Sequence, residues 1–271
     1  MIMLYRNVFQ GVTFYYAGPL HTYSSKNKPI IMKKLLVLAF SFLSSYAFAQ
    51  PWETVKGNGH QKTETRQVNE FTSLAAGGAM DVQISYGNSN SISIEADENL
   101  LPYIETTVEN GKLTIKSKKN KNIQPKSKMV VKISMTKITG LQQSGSGNIT
   151  GAGDFSNDGQ TDISLSGSGD LKLSFSSFKN LQLAISGSGN MNLKGGAVDN
   201  IDARVSGSGN IDCLDVSSNN VDVKISGSGN IKVFAKNSID AKISGSGNVF
   251  YKGGATDIKS KVAGSGKVTK I

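Results

Sequence analysis

Apolar and polar residues alternate with period two along most of the chain. Ile201, Ala203 and Val205 take every second position, as do Val221, Val223 and Ile225. After a short break the alternation resumes at Ile211 and Cys213, or at Ile231 and Val233. Such alternation marks a strand with one buried face. The break itself is nearly constant: Ser-Gly-Ser-Gly-Asn at 144–148, 186–190, 206–210, 226–230 and 244–248, an Asp-ended copy at 166–170, and a degraded Ala-Gly-Ser-Gly-Lys at 263–267. Successive copies begin 22, 20, 20, 20, 18 and 19 residues apart. Gly77-Gly78-Ala79-Met80-Asp81-Val82 reads as a further degraded rung upstream.

Two strand legs and two corners per repeat predict an all-β fold, a β-solenoid (β-helix) of rungs about 20 residues long with an irregular N-terminal β cap. One rung cannot fold alone, because its few inward aliphatics do not offset the entropy of ordering it. The motif glycines continue the apolar phase in Val205, Gly207, Gly209 and Ile211, so they are expected to point inward where two chain segments come close. The opposite corner is variable, with Gly195-Gly196 in one rung and Lys236-Asn237 in another. Cys213 takes the same phase as Leu193 and Val233 and reads as a core residue.

Upstream of the repeats, 81–85, 91–96, 106–109 and 112–117 read as strands, Asn110-Gly111 as a hairpin turn, and 97–104 as one short helical turn. Residues 50–143 are therefore expected to form the cap and first irregular rungs, and 144–271 the regular solenoid, with 50–271 one continuous domain. The basic Met32-Lys33-Lys34, the apolar run 35–46 and Ala47-Phe48-Ala49 have the layout of a signal peptide over 32–49, cleaved before Gln50. The run is too short for a comfortable membrane span, which needs about 20 residues. Residues 1–31 read as a mis-called extension ahead of a start at Met32 rather than Met1. Export would place the mature chain in the periplasm, on the outer-membrane surface or outside the cell, with no membrane span of its own.

Composition narrows the chemistry. A charged fraction of 18% argues against a disordered tail, and 30 glycines without a three-residue period exclude collagen. One cysteine and 2 histidines exclude a disulfide framework, a cysteine-rich zinc site and most histidine catalysis. The net charge of +10 falls to +5 without residues 1–49, whose Arg6, Lys26, Lys28, Lys33 and Lys34 meet no acids.

The repeated Ser-Gly-Ser-Gly-Asn-Ile signature follows Ile94-Glu95-Ala96-Asp97-Glu98-Asn99-Leu100-Leu101-Pro102-Tyr103-Ile104. On these segments the chain resembles the family described as putative auto-transporter adhesin, head GIN domain, over roughly 66–271. The resemblance implies a β-helical domain of a secreted envelope protein, commonly from Bacteroidetes-type bacteria, and brings no established catalytic residues. One departure is that no translocator barrel accompanies the repeats here.

Three features bear on function, each with a structural reading beside it. Asn148, Asn190, Asn210, Asn230 and Asn248 stack into an amide ladder, which either stabilises the strands or offers a flat polar face to a glycan or protein. Four residues before each motif lie Asp162, Gln182, Asp202, Asp222, Asp240 and Lys259; two residues before it lie Ser164, Ala184, Arg204, Lys224, Lys242 and Lys261. Asp202, Asp222 and Asp240 are a weak candidate for a Ca²⁺ site, against a self-compensating charge ladder. Nine lysines and no acids fall in 112–137, and Lys112, Lys116, Lys118, Lys119, Lys121, Lys126 and Lys128 are candidates for a polyanion such as an acidic polysaccharide, against a solvated loop. Nucleic acid is not expected, since no aromatics interleave to stack bases.

Catalysis finds little support. The mature chain has only Arg66 and Arg204, no glutamate after Glu109, and His60 outside the repeats. No catalytic residue, metal or cofactor is assigned, and polysaccharide cleavage is the weakest reading. The sequence points instead to an adhesin-like binding module for a glycan, polyanion or envelope protein. The alternative is a structural protein that self-associates through its C-terminal end, near Val268 and Ile271.

Overall fold

The computed structural model describes residues 5–9, 12–16 and 53–271. The chain divides into two units, 1–50 and 51–271. In the first, strands β1 (Tyr5–Phe9) and β2 (Val12–Tyr16) form an antiparallel hairpin. The leader segment 32–49, its cleavage site and the alternative start at Met32 lie outside the described residues.

The second unit is a β-solenoid of about seven turns. It opens with β3 (Glu53–Lys56) and β4 (Gln61–Arg66). The first rung is β5 (Ser73–Gly78) and β6 (Asp81–Tyr86). The chain then leaves the column for β7 (Ser91–Asp97), a 3-10 helix (Glu98–Tyr103), β8 (Ile104–Glu109), β9 (Lys112–Ser117), β10 (Lys121–Gln124) and β11 (Val130–Met135). It returns at β12 (Gly140–Gly145), which pairs in parallel with β5, so Ser144 and Gly145 stand beside Gly77 and Gly78. The degraded upstream copy is thus the first rung, and the cap is an insertion between the first rung and the second. Within the cap, β9 continues the wall of β5 in parallel, while β8 closes it antiparallel across the expected Asn110-Gly111 turn. Both turn residues have positive φ, at 50° and 71°, as a tight two-residue hairpin requires.

The regular rungs follow in β13 (Ile149–Ala152), β14 (Ser156–Gly167), β15 (Asp170–Ser174), β16 (Ser177–Gly187), β17 (Asn190–Gly207), β18 (Asn210–Gly227), β19 (Ile231–Gly245), β20 (Val249–Lys252), β21 (Asp257–Gly264) and β22 (Val268–Lys270). All stack in parallel with like residues in register, for example Ile185 beside Val205 and Val205 beside Ile225. Period-two alternation turns this register into continuous apolar columns, such as Leu165, Ile185, Val205, Ile225 and Ile243, all buried. Cys213 is fully buried in the column of Leu193 and Val233, and burial pushes its thiol far above the usual range. Register shifts fall between Asn157 and Gln160, between Asn192 and Ala197, and between Cys213 and Asn220. Unequal repeat lengths are therefore absorbed at the variable corner, while the glycine corner keeps its geometry.

That corner corrects the expectation that both glycines point inward. Gly207 has φ +121°, and a Cβ built on it would lie 2.4 Å from the carbonyl oxygen of Gly187 in the preceding rung. Gly209 is buried, and its Cβ would meet the Gly189 carbonyl oxygen at 2.4 Å as well as the Ile185 side chain at 2.6 Å. The obstacle lies along the solenoid axis as well as inside it. Each corner must come so close to the next that one carbonyl serves two donors: Gly187 O accepts from Ser208 N–H and Gly209 N–H, both at 3.0 Å.

Candidate functional site

Parallel in-register stacking converts every outward position into a column, and the columns differ in how far the protein itself satisfies them. The asparagine column is occupied. Asn210 Nδ2 donates to Asn190 Oδ1 at 2.9 Å, and Asn230 donates to Asn210 Oδ1 through both its backbone N–H and Nδ2 at 3.0 Å. Asn248 repeats this on Asn230 at 3.1 and 3.0 Å. The ladder begins at Asp81, which accepts from Asn148 N–H at 2.9 Å and from its Nδ2 at 3.0 Å. Burial works against the Asp81 charge, but the Lys128 ammonium and these Asn148 donors outweigh it and hold the carboxyl below its usual range.

A second amide ladder runs at the opposite corner and was not anticipated. Asn200 Nδ2 donates to Asn180 Oδ1 at 2.8 Å, Asn220 Nδ2 to Asn200 Oδ1 at 3.1 Å, and Ser238 Oγ to Asn220 Oδ1 at 3.0 Å. Its signal was present, since these residues lie six positions before successive motifs. The variable spacing of that corner obscured it.

The lysine-rich run is dispersed by the fold. Lys112 and Lys116 stand opposite Glu109 and Glu105 across the β8–β9 hairpin, and Lys112 Nζ donates to Gln142 Oε1 at 2.9 Å. Lys121 pairs with Glu53 and lies 5.4 Å from the Tyr103 ring centroid. Lys128 pairs with Asp81 at 2.8 Å, and Lys132 with Glu95 at 3.2 Å. Lys118, Lys119 and Lys126 remain exposed, although the Lys126 backbone N–H donates to Asp97 Oδ2 at 2.7 Å. A run without acids in the sequence therefore meets acids from other strands, which linear spacing could not reveal.

Asp202, Asp222 and Asp240 do stack, as the registers of β17, β18 and β19 require. Arg204 pairs with Asp202 at 2.6 Å, and Lys242 with Asp240 at 3.1 Å, each within one rung. Cations thus sit on two of the three carboxylates. Among the described residues no three His, Cys, Asp or Glu side chains are grouped to hold a metal ion.

Between the basic column and the first motif serine runs a trough of about 750 Å³. It follows the solenoid axis from Gln142 to Lys261. One wall is Ser164, Ala184, Arg204, Lys224, Lys242 and Lys261; the other is Ser166, Ser186, Ser206, Ser226 and Ser244. The floor is sheet backbone over the buried column of Leu165 to Ile243, whose N–H and C=O groups are engaged in the parallel ladders. In contrast to the asparagines, these serine hydroxyls have no hydrogen-bond partner among the described residues. The strand phase puts the aspartate column on the far side of the basic column from the serines. The trough is thus a strip with a cation in each of its last four rungs, from Arg204 to Lys261, and an exposed serine hydroxyl opposite the first three of them.

No helix among the described residues is long and apolar enough to cross a membrane. The fold is shared with solved structures of bacterial proteins. An adhesin from Bacteroides fragilis NCTC 9343, described as putative, matches with a TM-score of 0.75 and 24% identity, over 80% of this chain and 100% of its own. A protein of Parabacteroides distasonis ATCC 8503 described as a putative lipid binding protein matches at 0.70 and 25%, over 81% and 100%. A putative adhesin from Parabacteroides merdae ATCC 43184 matches at 0.62 and 26%, over 81% and 99%. No curated protein matches the chain. The family model described as putative auto-transporter adhesin, head GIN domain, matches residues 70–255, spanning the cap and nearly all the rungs, and the chain belongs to that family.

Proposed function

We propose that the chain is an exported, adhesin-like binding module that holds its partner in the axial trough. One observation carries this reading: the exposed serine hydroxyls lining the trough have no hydrogen-bond partner among the described residues and are open to a ligand, whereas the neighbouring asparagines are engaged in their own ladder. The exposed Lys118, Lys119 and Lys126 offer a second, smaller contact for an anionic partner. Export rests on the 32–49 leader, and the family membership supports a surface setting.

The test is binding of the exported protein to bacterial and host glycans, mucins and matrix proteins at physiological salt, with and without EDTA. Saturable binding that Lys224→Gln with Lys242→Gln weakens at least tenfold supports the trough. EDTA sensitivity would reassign the contact to the aspartate column, and a blank array would overturn the binding reading. A second reading, assembly through the last rung, draws on Ile258 and Val262, which occupy core columns yet are 43% and 40% exposed. It predicts concentration-dependent association that disappears when Val268 and Ile271 are made charged.

A further inference from the structure

The trough repeats its functional groups at the strand spacing, about 4.8 Å. Arg204, Lys224, Lys242 and Lys261 supply a cation in four consecutive rungs, and Ser206, Ser226 and Ser244 face the first three of them, with Ala263 in the last. A small ligand would engage one or two of these units and leave the rest idle. A polymer whose own repeat is close to one rung would engage all of them at once, and each added unit binds at high effective concentration. A sugar ring in an extended glycan advances the chain by about the height of a rung. It carries hydroxyls on its edges, and its C–H faces suit a floor whose polar groups are already paired.

We propose, building on the trough as the binding face, that its ligand is a linear acidic polysaccharide laid parallel to the solenoid axis. Its sugar rings sit at rung spacing, with acid groups toward Arg204, Lys224, Lys242 and Lys261 and hydroxyls toward the serine wall. The aspartate column does not cancel this charge. The Asp202–Arg204 and Asp240–Lys242 pairs are exposed, and water already weakens such pairs enough for a ligand carboxylate to compete. Lys224 and Lys261 enter no ion pair among the described residues, and in the last rung Lys259 stands where the column's acid would be. An acyl chain suits the trough less well, because the floor side chains point into the packed core and one wall carries a cation in each of four rungs that an apolar chain would leave without a partner.

The experiment titrates the exported protein with oligogalacturonates of increasing length, with their methyl esters as uncharged controls, and with phosphatidylglycerol vesicles. Affinity should climb roughly tenfold between two and four sugars and then flatten once the four cations are covered. The esters should bind at least tenfold more weakly, and Lys224→Gln with Lys242→Gln should abolish the length dependence while the melting temperature stays unchanged. Binding that ignores length or esterification overturns the proposal, as does binding to vesicles alone. If the oligomers fail while array ligands remain sensitive to the double variant, this ligand class is wrong and the binding face stands. If array binding ignores the variant, both fall.

Discussion

The carbonyl oxygen of Gly187 lies 2.4 Å from the point that a Cβ on Gly207 would occupy, and the same oxygen accepts hydrogen bonds from the two residues after Gly207. The equivalent approach recurs at Gly227 on Gly207 and at Gly245 on Gly227, at 2.3 Å each. The rung spacing at this corner therefore depends on a bare α-carbon.

Gly207→Ala should destabilise the protein by at least about 2 kcal/mol, since it combines a positive φ with a contact against fixed backbone. Ser208→Ala, one residue on and exposed, should change stability by no more than about 0.5 kcal/mol. Denaturant unfolding of the pair checks this, and equal effects would refute the role given to the corner.

Asn210 accepts from Asn230 twice and donates to Asn190 once. Asn210→Ala should therefore cost about 1–2 kcal/mol by leaving the Asn230 donors to water. Ser206→Ala in the neighbouring column should be nearly neutral for stability but weaken ligand binding, because its exposed hydroxyl has no partner among the described residues. Measuring both quantities for both variants separates a structural column from a binding one.

Asp97 clamps the cap. Burial opposes its charge, but hydrogen bonding from Ser127 and from the backbone N–H of Lys126 prevails and holds the carboxyl below its usual range. A depressed folded value means that its stabilisation is complete above the ordinary carboxylate range and is lost as pH falls through the folded value. Asp97→Asn should lower stability at neutral pH and flatten the acid limb of the stability profile. An unchanged acid limb would count against it.

Gln143 stands in the core column beside Leu165, fully buried, and neither of its amide atoms meets a partner among the described residues. Gln143→Leu should raise stability by about 1–3 kcal/mol, since an unpaired buried amide is costly and leucine is the residue of the next rung. A loss of stability on thermal unfolding would contradict this.

The sequence alone determined the rung, its period, its inward columns and the asparagine ladder. All of these follow from local alternation repeated at a nearly fixed interval, so residue i and residue i + 20 become neighbours once rungs stack. Cys213 could be placed in the core on phase alone, and Asn110-Gly111 as a turn on its dipeptide. Contacts between segments with no fixed sequence separation were decided only by the tertiary structure. The cap inserts between the first and second rungs, bringing Glu53, Asp81 and Glu95 onto lysines that have no acids near them in the chain. Likewise, the direction in which a Cβ on Gly207 would point depends on backbone twist, which alternation does not encode. The trough, too, emerges only when a basic column and an exposed serine column are set side by side over several rungs, because which side chains pair with one another belongs to the stack and not to the strand.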